Sequence, residues 1–205
     1  MIGIINYGSG NVSAIMNILK QRKIPHFLSH DPAVLAQADR FILPGVGAFD
    51  TTMRNLTDTG IISFLNDQVM GQGKKVIGIC VGMHLLSEGS DEGDLPGLGW
   101  IKGYVRRIPT EELTQKPHLP HMGWNSLDLT GTGRLFDGVD VDRGFYFLHS
   151  YYFDAASSAD VSATVRYGRD LPCSVETGNV FGMQFHPEKS HSNGVTLLAN
   201  FAALQ

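Results

Sequence analysis

Short apolar runs alternate with helical spacing along the first 80 residues. The apolar runs predict strands at 1–6, 27–28, 41–43 and 76–79. Helical spacing predicts helices over 12–23 and 61–70, and Asp31 and Pro32 fit the N-cap and first position of a further short helix. Alternating strands and helices predict a parallel sheet with helices on its faces, and the run at 76–79 is apolar enough for a strand buried on both faces.

The second half of the chain has a different pattern. Strand-like segments separated by Gly or Pro occupy 100–108, 143–153, 162–167, 173–177 and 180–185. The last segment, 192–204, has helical spacing, with one apolar face formed by Val195, Leu198, Ala199 and Ala202. There is no internal repeat and no long linker, so we expect one domain over 1–205. Its predicted fold class is α/β, with a central, mostly parallel sheet flanked by helices and an antiparallel extension in the second half.

Composition and charge narrow the class of protein. Of the 205 residues, 42% are hydrophobic and 18% are charged, as in a folded globular domain. The chain has 16 Lys and Arg, 20 Asp and Glu, a net charge of -4 and no basic block, so nucleic acid is not an expected partner. No apolar run approaches the length of a membrane span, and the start lacks a secretory signal pattern. We therefore expect a cytoplasmic protein without membrane contact.

The two cysteines, Cys80 and Cys173, are too few for a disulfide framework and leave at least one thiol free for chemistry. Cys80 stands midway between Gly78 and Gly82, where an apolar strand runs directly into a helical segment. This pattern is typical of a strained strand-to-helix elbow, which presents a nucleophile at a helix N-terminus where the thiolate is favoured. For this segment alone, a buried structural cysteine between glycines is an equally good interpretation.

A thiol nucleophile needs a base and a group that orients the base, and both occur at the end of the last predicted strand. His186 and Glu188, two apart in extended chain, point to the same side, and Pro187 favours that extended conformation. Alone, this triplet fits a solvated loop, but combined with the cysteine elbow it favours nucleophilic catalysis. The Val81 N–H is one candidate donor to an oxyanion hole, and the segment 44–47 fits either a second donor or a plain turn.

Six segments resemble, in order, the successive signatures of class I (triad) glutamine amidotransferases. They are YGSGN at 7–11, PGVGAF at 44–49, GICVGM at 78–83, PHMGWN at 120–125, YFLHSY at 146–151 and QFHPEKS at 184–190. The resemblance covers nearly the whole chain, and PGVGAF and HMGWN are similar to the glutaminase subunits of imidazole glycerol phosphate synthesis within that family. Cysteine hydrolases of related topology have a His directly after the nucleophile, where this chain has Val81.

The resemblance implies a reaction and a site. Cys80 attacks the side-chain amide of L-glutamine, His186 passes a proton to the leaving ammonia, and Glu188 orients His186. Water then releases glutamate from the thioester. The resemblance implies an oxyanion hole at the Val46 and Val81 amides, after reorientation of the PGVG peptide. The residues that it implies around the glutamine are Gly45, Gly47, His84, Glu92, Ser150 and Tyr151. We expect no cofactor, and the other histidines lack the spacing of a metal site.

The resemblance also implies a partner. Such glutaminases pass ammonia through the interior of a (β/α)8-barrel cyclase in histidine biosynthesis. The cyclase converts a phosphoribulosyl-formimino aminoimidazole-carboxamide ribonucleotide into imidazole glycerol phosphate and an aminoimidazole-carboxamide ribonucleotide. The positions that match the interface are Asn11, Trp124, Asn125, Tyr146 and Lys189. An aromatic residue in a strand is as often core as interface, so both interpretations of Tyr146 stay open, and a cation–π contact with Lys189 fits the second.

Position 84 departs from the family, which usually has Gln there in contact with the substrate. His84 is shorter and able to carry charge, so it either changes the contact with glutamine or hydrogen-bonds a neighbour in the first turn of a helix. This substitution and the segment 189–194 are also similar to paralogues that feed ammonia to a cyclase-like partner for amidine formation on surface-polysaccharide sugars. The chemistry at Cys80 is the same in both groups, and the acceptor of the ammonia stays open.

Overall fold

The computed structural model describes residues 1–114, 116, 118–131 and 133–205. In these residues the strands are β1 (Ile2–Ile5), β2 (His26–Ser29), β3 (Arg40–Gly45), β4 (Lys75–Cys80), β5 (Gly103–Arg107), β6 (His121–Asn125), β7 (Asp128–Leu129), β8 (Phe145–His149), β9 (Tyr151–Ala155), β10 (Val161–Tyr167), β11 (Arg169–Thr177) and β12 (Val180–Met183). The α-helices are α1 (Val12–Gln21), α2 (Pro32–Leu35), α3 (Phe49–Asp58), α4 (Ile62–Asn66), α5 (Val81–His84) and α6 (His191–Ala203).

Eight of these strands form one sheet in the order β2-β1-β3-β4-β12-β11-β10-β7. From β2 to β12 every neighbouring pair is parallel, which confirms the parallel sheet predicted from the alternating pattern. All residues of β1 and β12 are buried, as are the five residues of β4 that follow Lys75. The prediction that the run at 76–79 is buried on both faces is therefore confirmed.

The antiparallel extension predicted for the second half is also present. β11 pairs antiparallel with β12, β10 with β11, and β7 with β10. The predicted single strand over 143–153 is wrong in extent, because the chain turns at Ser150 and divides the segment into β8 and β9. These two strands pair with β6 and β5 in separate two-stranded sheets. Neither β6 nor β7 was predicted, and Gly123 with φ 117° interrupts the pattern of β6.

The helices follow their local signals with two exceptions. Asp31 caps α2, with its Oδ1 accepting a hydrogen bond from the Ala33 N–H at 2.8 Å, as predicted. The helix predicted over 61–70 begins as α4 and continues as a π-helical turn, Asp67–Gly71. Helix α3 was missed, because a threonine occupies one of the positions of its buried face, which is formed by Phe49, Thr52, Met53 and Leu56. Among the described residues, none of the helices has the length and hydropathy of a membrane span.

A cluster of buried aromatic side chains supports the end of β12. The rings of Phe145 and Phe185 stack with their centroids 4.0 Å apart, and Phe136 and Phe147 meet Phe185 edge-on at 6.4 and 5.7 Å. Burial of each such ring contributes about 1.5–3 kcal/mol. The cluster therefore fixes the backbone immediately before His186.

Candidate active site

The candidate site lies where three neighbouring parallel strands end. Gly45 at the end of β3 pairs in register with Cys80 at the end of β4. On the other side, Met183 at the end of β12 pairs with Ile79. The segments that follow these strands therefore meet at one edge of the sheet, which is where ligands bind in open parallel sheets.

Cys80 adopts a strained conformation between β4 and α5, with φ 54° and ψ -114°. The flanking glycines are required by close packing. A Cβ on Gly78 would lie 2.4 Å from the Gly82 carbonyl oxygen, and a Cβ on Gly82 would lie 1.9 Å from the Leu43 carbonyl oxygen. The predicted strand-to-helix elbow is confirmed, since a cysteine within a regular strand has a negative φ.

His186 and Glu188 form a nearly buried pair. His186 Nδ1 lies 3.0 Å from Glu188 Oε1, and their side chains are 6% and 2% exposed. His186 is extended, as Pro187 predicts, but the segment Pro187–Lys189 is a 3-10 turn. The turn, and not the alternation of an extended strand, brings the carboxylate to the ring.

The environment of His186 favours its charged form. Burial opposes that form, but the neighbouring Cys80 and Glu188, whose Oε1 bonds Nδ1, raise the pKa of His186 to about 10. The ring therefore carries a proton at neutral pH. A protonated imidazole beside a sulfur nucleophile is suited to donate that proton to a leaving amine.

A cavity of about 380 Å³ brings most of the predicted site residues together. Its lining includes Asn11, Val46, Gly47, Cys80, Val81, His84, Glu92, Ser150, Tyr151, His186, Glu188 and Lys189. Pro120, Leu148 and His149 complete it and were not among the predicted site residues. Gly45 instead packs against the elbow, where a Cβ would lie 2.4 Å from the Gly82 nitrogen. The cavity has the size of a small-molecule site.

The Val46 amide, predicted as an oxyanion-hole donor, is engaged elsewhere in this conformation. Its N–H donates to Ser9 Oγ at 2.9 Å, and the Ser9 hydroxyl lies 3.1 Å from the Val46 carbonyl oxygen as a donor. The Tyr7 hydroxyl donates to the Pro44 carbonyl two residues earlier. Neither Ser9 nor Tyr7 was a predicted site residue, although both lie in the YGSGN segment.

His84 bonds to a neighbour and also lines the cavity. Its Nε2 lies 2.7 Å from Gln184 Oε1, and Gln184 Nε2 lies 3.8 Å from Cys80 Sγ as a donor. In the part of the chain that the structure describes, His84 Nδ1 is buried without a hydrogen-bond partner. Burial lowers the pKa of His84 to about 4, against the opposing hydrogen bond to Gln184, so the ring is neutral. Gln184 was not a predicted site residue, and its only signal in the sequence is its place in QFHPEKS.

Glu92 places a carboxylate in the wall of the cavity. Its Oε2 accepts a hydrogen bond from the Phe49 N–H at 2.9 Å, at the first turn of α3. Burial raises the pKa of Glu92 although this hydrogen bond opposes the shift, and the charge of Asp50 adds to it. The carboxylate is complementary to an ammonium group of a ligand.

Of the residues predicted at a partner interface, Asn11 and Lys189 line the cavity at Cys80, and Trp124 and Asn125 line a second cavity. Trp124 is 44% exposed and stacks on His191, with ring centroids 5.4 Å apart. Tyr146 is half-buried, and Lys189 Nζ lies 5.3 Å from the centre of its ring, which confirms the cation–π contact. Asn125 Nδ2 donates to the Arg166 carbonyl at 3.0 Å. Within the described residues no group of three His, Cys, Asp or Glu side chains is arranged to hold a metal ion.

Relatives with curated names match over their full lengths. The protein named imidazole glycerol phosphate synthase subunit HisH from Leptospira borgpetersenii is 41% identical over 204 residues, covering 100% of both chains. The protein of the same name from Bdellovibrio bacteriovorus is 44% identical, and the match covers 100% of both chains. The one from Bacillus subtilis is 42% identical, and the match covers 100% of this chain and 96% of that protein.

Solved structures share the fold at lower identity. A crystal structure described as a glutamine amidotransferase has a TM-score of 0.72 at 21% identity, with 99% of each chain covered. The structure of PurLQS from Thermotoga maritima has a TM-score of 0.68 at 17% identity, with 98% of this chain and 96% of that chain covered. A family model described as glutamine amidotransferase class-I matches residues 4–204. The match of this model and the full-length similarity to curated relatives agree with the elbow at the sheet edge: the chain belongs to the class-I glutamine amidotransferase family.

Proposed function

We propose that the chain is the glutaminase subunit of an imidazole glycerol phosphate synthase and produces ammonia from L-glutamine for histidine biosynthesis. The names of the full-length relatives support this role. The observation that carries the chemistry is the position of Cys80 on a strained elbow, in the same cavity as the bonded pair His186 and Glu188. These three residues are the proposed catalytic triad.

The first half of the reaction forms a thioester. Cys80 Sγ attacks the side-chain amide carbon of glutamine, and the carbonyl oxygen becomes an oxyanion. When the tetrahedral intermediate collapses, the carbon–nitrogen bond breaks and the nitrogen takes the proton of His186, so ammonia leaves. Glu188 holds the ring through its Nδ1, which leaves Nε2 to face the reacting groups.

The second half hydrolyses the thioester. Neutral His186 now takes a proton from water, and the resulting hydroxide attacks the thioester carbon. The carbon–sulfur bond breaks, glutamate is released, and the Cys80 thiolate and the protonated ring are restored. In the proposed complex, Glu92 binds the substrate ammonium group, and Gly47, His84, Ser150 and Tyr151 complete its surroundings.

The oxyanion hole is the proposed point of control. The Val81 N–H belongs to the first residue of α5 and has no acceptor within its own helix. The Val46 N–H is occupied by Ser9, so it joins the hole only after the peptide reorients. We infer that binding of the partner favours the reoriented peptide. The loss of one donor costs about 100- to 1000-fold in rate in comparable sites, so the isolated chain is expected to be slow.

A synthase subunit requires a second subunit, and we propose a (β/α)8-barrel cyclase in a cytoplasmic heterodimer. Its binding surface is assigned to the positions that match the family's interface, Asn11, Trp124, Asn125, Tyr146 and Lys189. Residues 1–205 act in this proposal as one glutamine amidotransferase domain, consistent with the match over 4–204. The names of the relatives favour the nucleotide of histidine biosynthesis over a polysaccharide sugar as acceptor of the ammonia.

Glutamate release from glutamine tests the proposal. We expect a rate near zero for the chain alone and a rise by orders of magnitude with the histidine-pathway cyclase of the same genome and its nucleotide ligand. No rise would refute the assignment to that synthase.

Substitution of the two cysteines separates the chemistry from the fold. Cys80→Ala is expected to abolish the glutamine-dependent reaction of the complex and leave the ammonia-dependent reaction, since only ammonia production is lost. Cys173→Ala, at a cysteine buried outside the cavity, is the matched control and retains both. Equal loss of both reactions in Cys80→Ala would contradict the division of labour.

A further inference from the structure

A chain of hydrogen bonds runs through the wall of the cavity and is not part of the triad. Asn125 Nδ2 lies 3.3 Å from His121 Nε2, and His121 Nδ1 lies 2.9 Å from His149 Nε2. His149 Nδ1 lies 2.8 Å from the Tyr151 carbonyl oxygen. His121 and His149 are directly opposite each other in the register of β6 and β8, so the two rings meet on one face of that pair of strands.

The chemistry of the groups determines the direction of every bond. The Tyr151 carbonyl only accepts, so His149 Nδ1 carries a hydrogen. A neutral imidazole has one N–H, so His149 Nε2 is an acceptor and His121 Nδ1 donates to it. His121 Nε2 then accepts from the Asn125 amide. Both rings are neutral, because burial lowers the pKa of His121 to about 4 and that of His149 to about 3. The neighbouring His121, His84 and His186 contribute to the lower pKa of His149.

The two ends of this series of hydrogen bonds lie in two different cavities. His149 and Tyr151 line the catalytic cavity. His121, Trp124 and Asn125 line a second cavity of about 500 Å³ on the side assigned to the partner. The His121 ring is held between Phe147 and Tyr167, with ring centroids 4.8 and 4.2 Å away. This series of hydrogen bonds is therefore rigid, and it joins β6 to the turn that forms part of the substrate cavity.

We propose that Asn125, His121 and His149 are positioning residues that hold the glutamine-binding turn at Ser150 and Tyr151 and connect it to the partner-facing strand β6. The turn is tied at two carbonyls: Ser150 O accepts from the Ile108 N–H at 3.0 Å, and Tyr151 O accepts from His149. When His121 no longer donates, the His149 ring loses its fixed orientation and the second tie weakens. The expected effect on the KM for glutamine rests on the proposed glutaminase function.

The first experiment examines the rings without any activity. Long-range proton–nitrogen spectra of the 15N-labelled chain near pH 7, with His121 and His149 assigned by substitution, are expected to show both rings as neutral Nδ1–H tautomers. A cationic ring or an Nε2–H tautomer at either position overturns the inference, whether or not the chain is a glutaminase.

The second experiment uses the complex with the cyclase. His121→Phe keeps the aromatic stack but donates nothing, and is expected to raise the KM for glutamine at least about tenfold. His121→Asn places an amide N–H where Nδ1 stood and restores most of the affinity. The ammonia-dependent turnover stays unchanged in both variants, and His30→Phe, at an exposed histidine, is the control with normal KM.

The outcomes separate the two proposals. If the wild-type complex is active and the KM of His121→Phe stays within about twofold of the wild-type KM, the positioning role is overturned and the glutaminase function stays in place. The positioning role is also overturned if the KM of His121→Asn is no lower than that of His121→Phe, because a role in packing alone does not depend on the donor. If the wild-type complex releases no glutamate, the proposed function fails, and the spectra decide the inference.

Discussion

The Ser9 hydroxyl offers a direct way to perturb the peptide proposed for the oxyanion hole. In the present conformation it accepts from the Val46 N–H at 2.9 Å and donates to the Val46 carbonyl at 3.1 Å. Ser9→Ala removes both bonds and leaves the backbone on either side unchanged. Because both bonds exist only in the orientation in which the Val46 N–H donates to Ser9, their loss favours the reoriented peptide.

The magnitude follows from the number of bonds. Each buried hydrogen bond contributes about 0.5–1.5 kcal/mol net, so the pair favours the present orientation by about 1–3 kcal/mol. This free energy corresponds to a factor of about 5–150 in the population of the reoriented peptide. Glutamate release by the isolated Ser9→Ala chain is therefore expected to rise about 5- to 150-fold over wild type, while the rate in the complex, where we propose that the peptide is already reoriented, changes little.

A coupled glutamate assay on the isolated chain and on the complex measures this effect. Ser63→Ala is the matched control, since Ser63 is exposed on α4 and outside the cavity lining. A rate of the isolated chain that Ser9→Ala leaves unchanged or lowers, while the complex retains its wild-type rate, would contradict this prediction. That result would mean that Ser9 does not oppose reorientation of the peptide.

Two further predictions concern the elbow and the buried histidines. Gly82→Ala places a Cβ within 1.9 Å of the Leu43 carbonyl oxygen, and it is expected to destabilise the fold by about 1–3 kcal/mol and to impair glutaminase activity. Gly131→Ala, which has open space around it, is the control and is expected to be neutral. Thermal melts and glutamate assays of both variants measure these effects, and an unaffected Gly82→Ala would contradict the packing argument. Burial holds the pKa of His84 at about 4 and that of His149 at about 3, below an unfolded value of about 6.5, so the unfolded state binds protons that the native rings do not. The stability contributed by each ring is therefore complete above about pH 6.5 and is lost as the pH falls to about 4 for His84 and to about 3 for His149, by about 1.4 kcal/mol of unfolding free energy per pH unit. Unfolding free energies from urea titrations of wild type and His84→Gln are expected to differ in their pH dependence by about that slope between about pH 6.5 and 4. Equal slopes would argue against a neutral, buried His84.

Local patterns in the sequence predicted most of the elements. The apolar run before Cys80 and its two flanking glycines indicate the elbow, because a strained turn in a crowded place accepts little else. Asp31 before a proline indicates the start of α2 in the same way. Each signal depends on residues a few positions apart. The segments similar to known glutaminases supplied the identities of the site residues, which periodicity alone did not determine.

Packing between distant segments decided the rest. Ser9 and Val46 are 37 positions apart, and His84 and Gln184 are 100 positions apart, so their bonds follow only from the order of the strands. Helix α3 was missed since its buried face includes a threonine, whose place in the core depends on neighbouring elements.

From the sequence alone, the class of fold and the elbow at Cys80 were predicted, because hydrophobic periodicity and steric strain act over a few residues, and the segments similar to known glutaminases supplied the candidate nucleophile and base. The tertiary structure alone decided how the site is held. Glu188 reaches His186 through a 3-10 turn, and His121 meets His149 through the register of two strands. Hydrogen-bond direction and the occupation of the Val46 amide depend on which groups become neighbours when the chain folds, since each buried donor must find an acceptor among them.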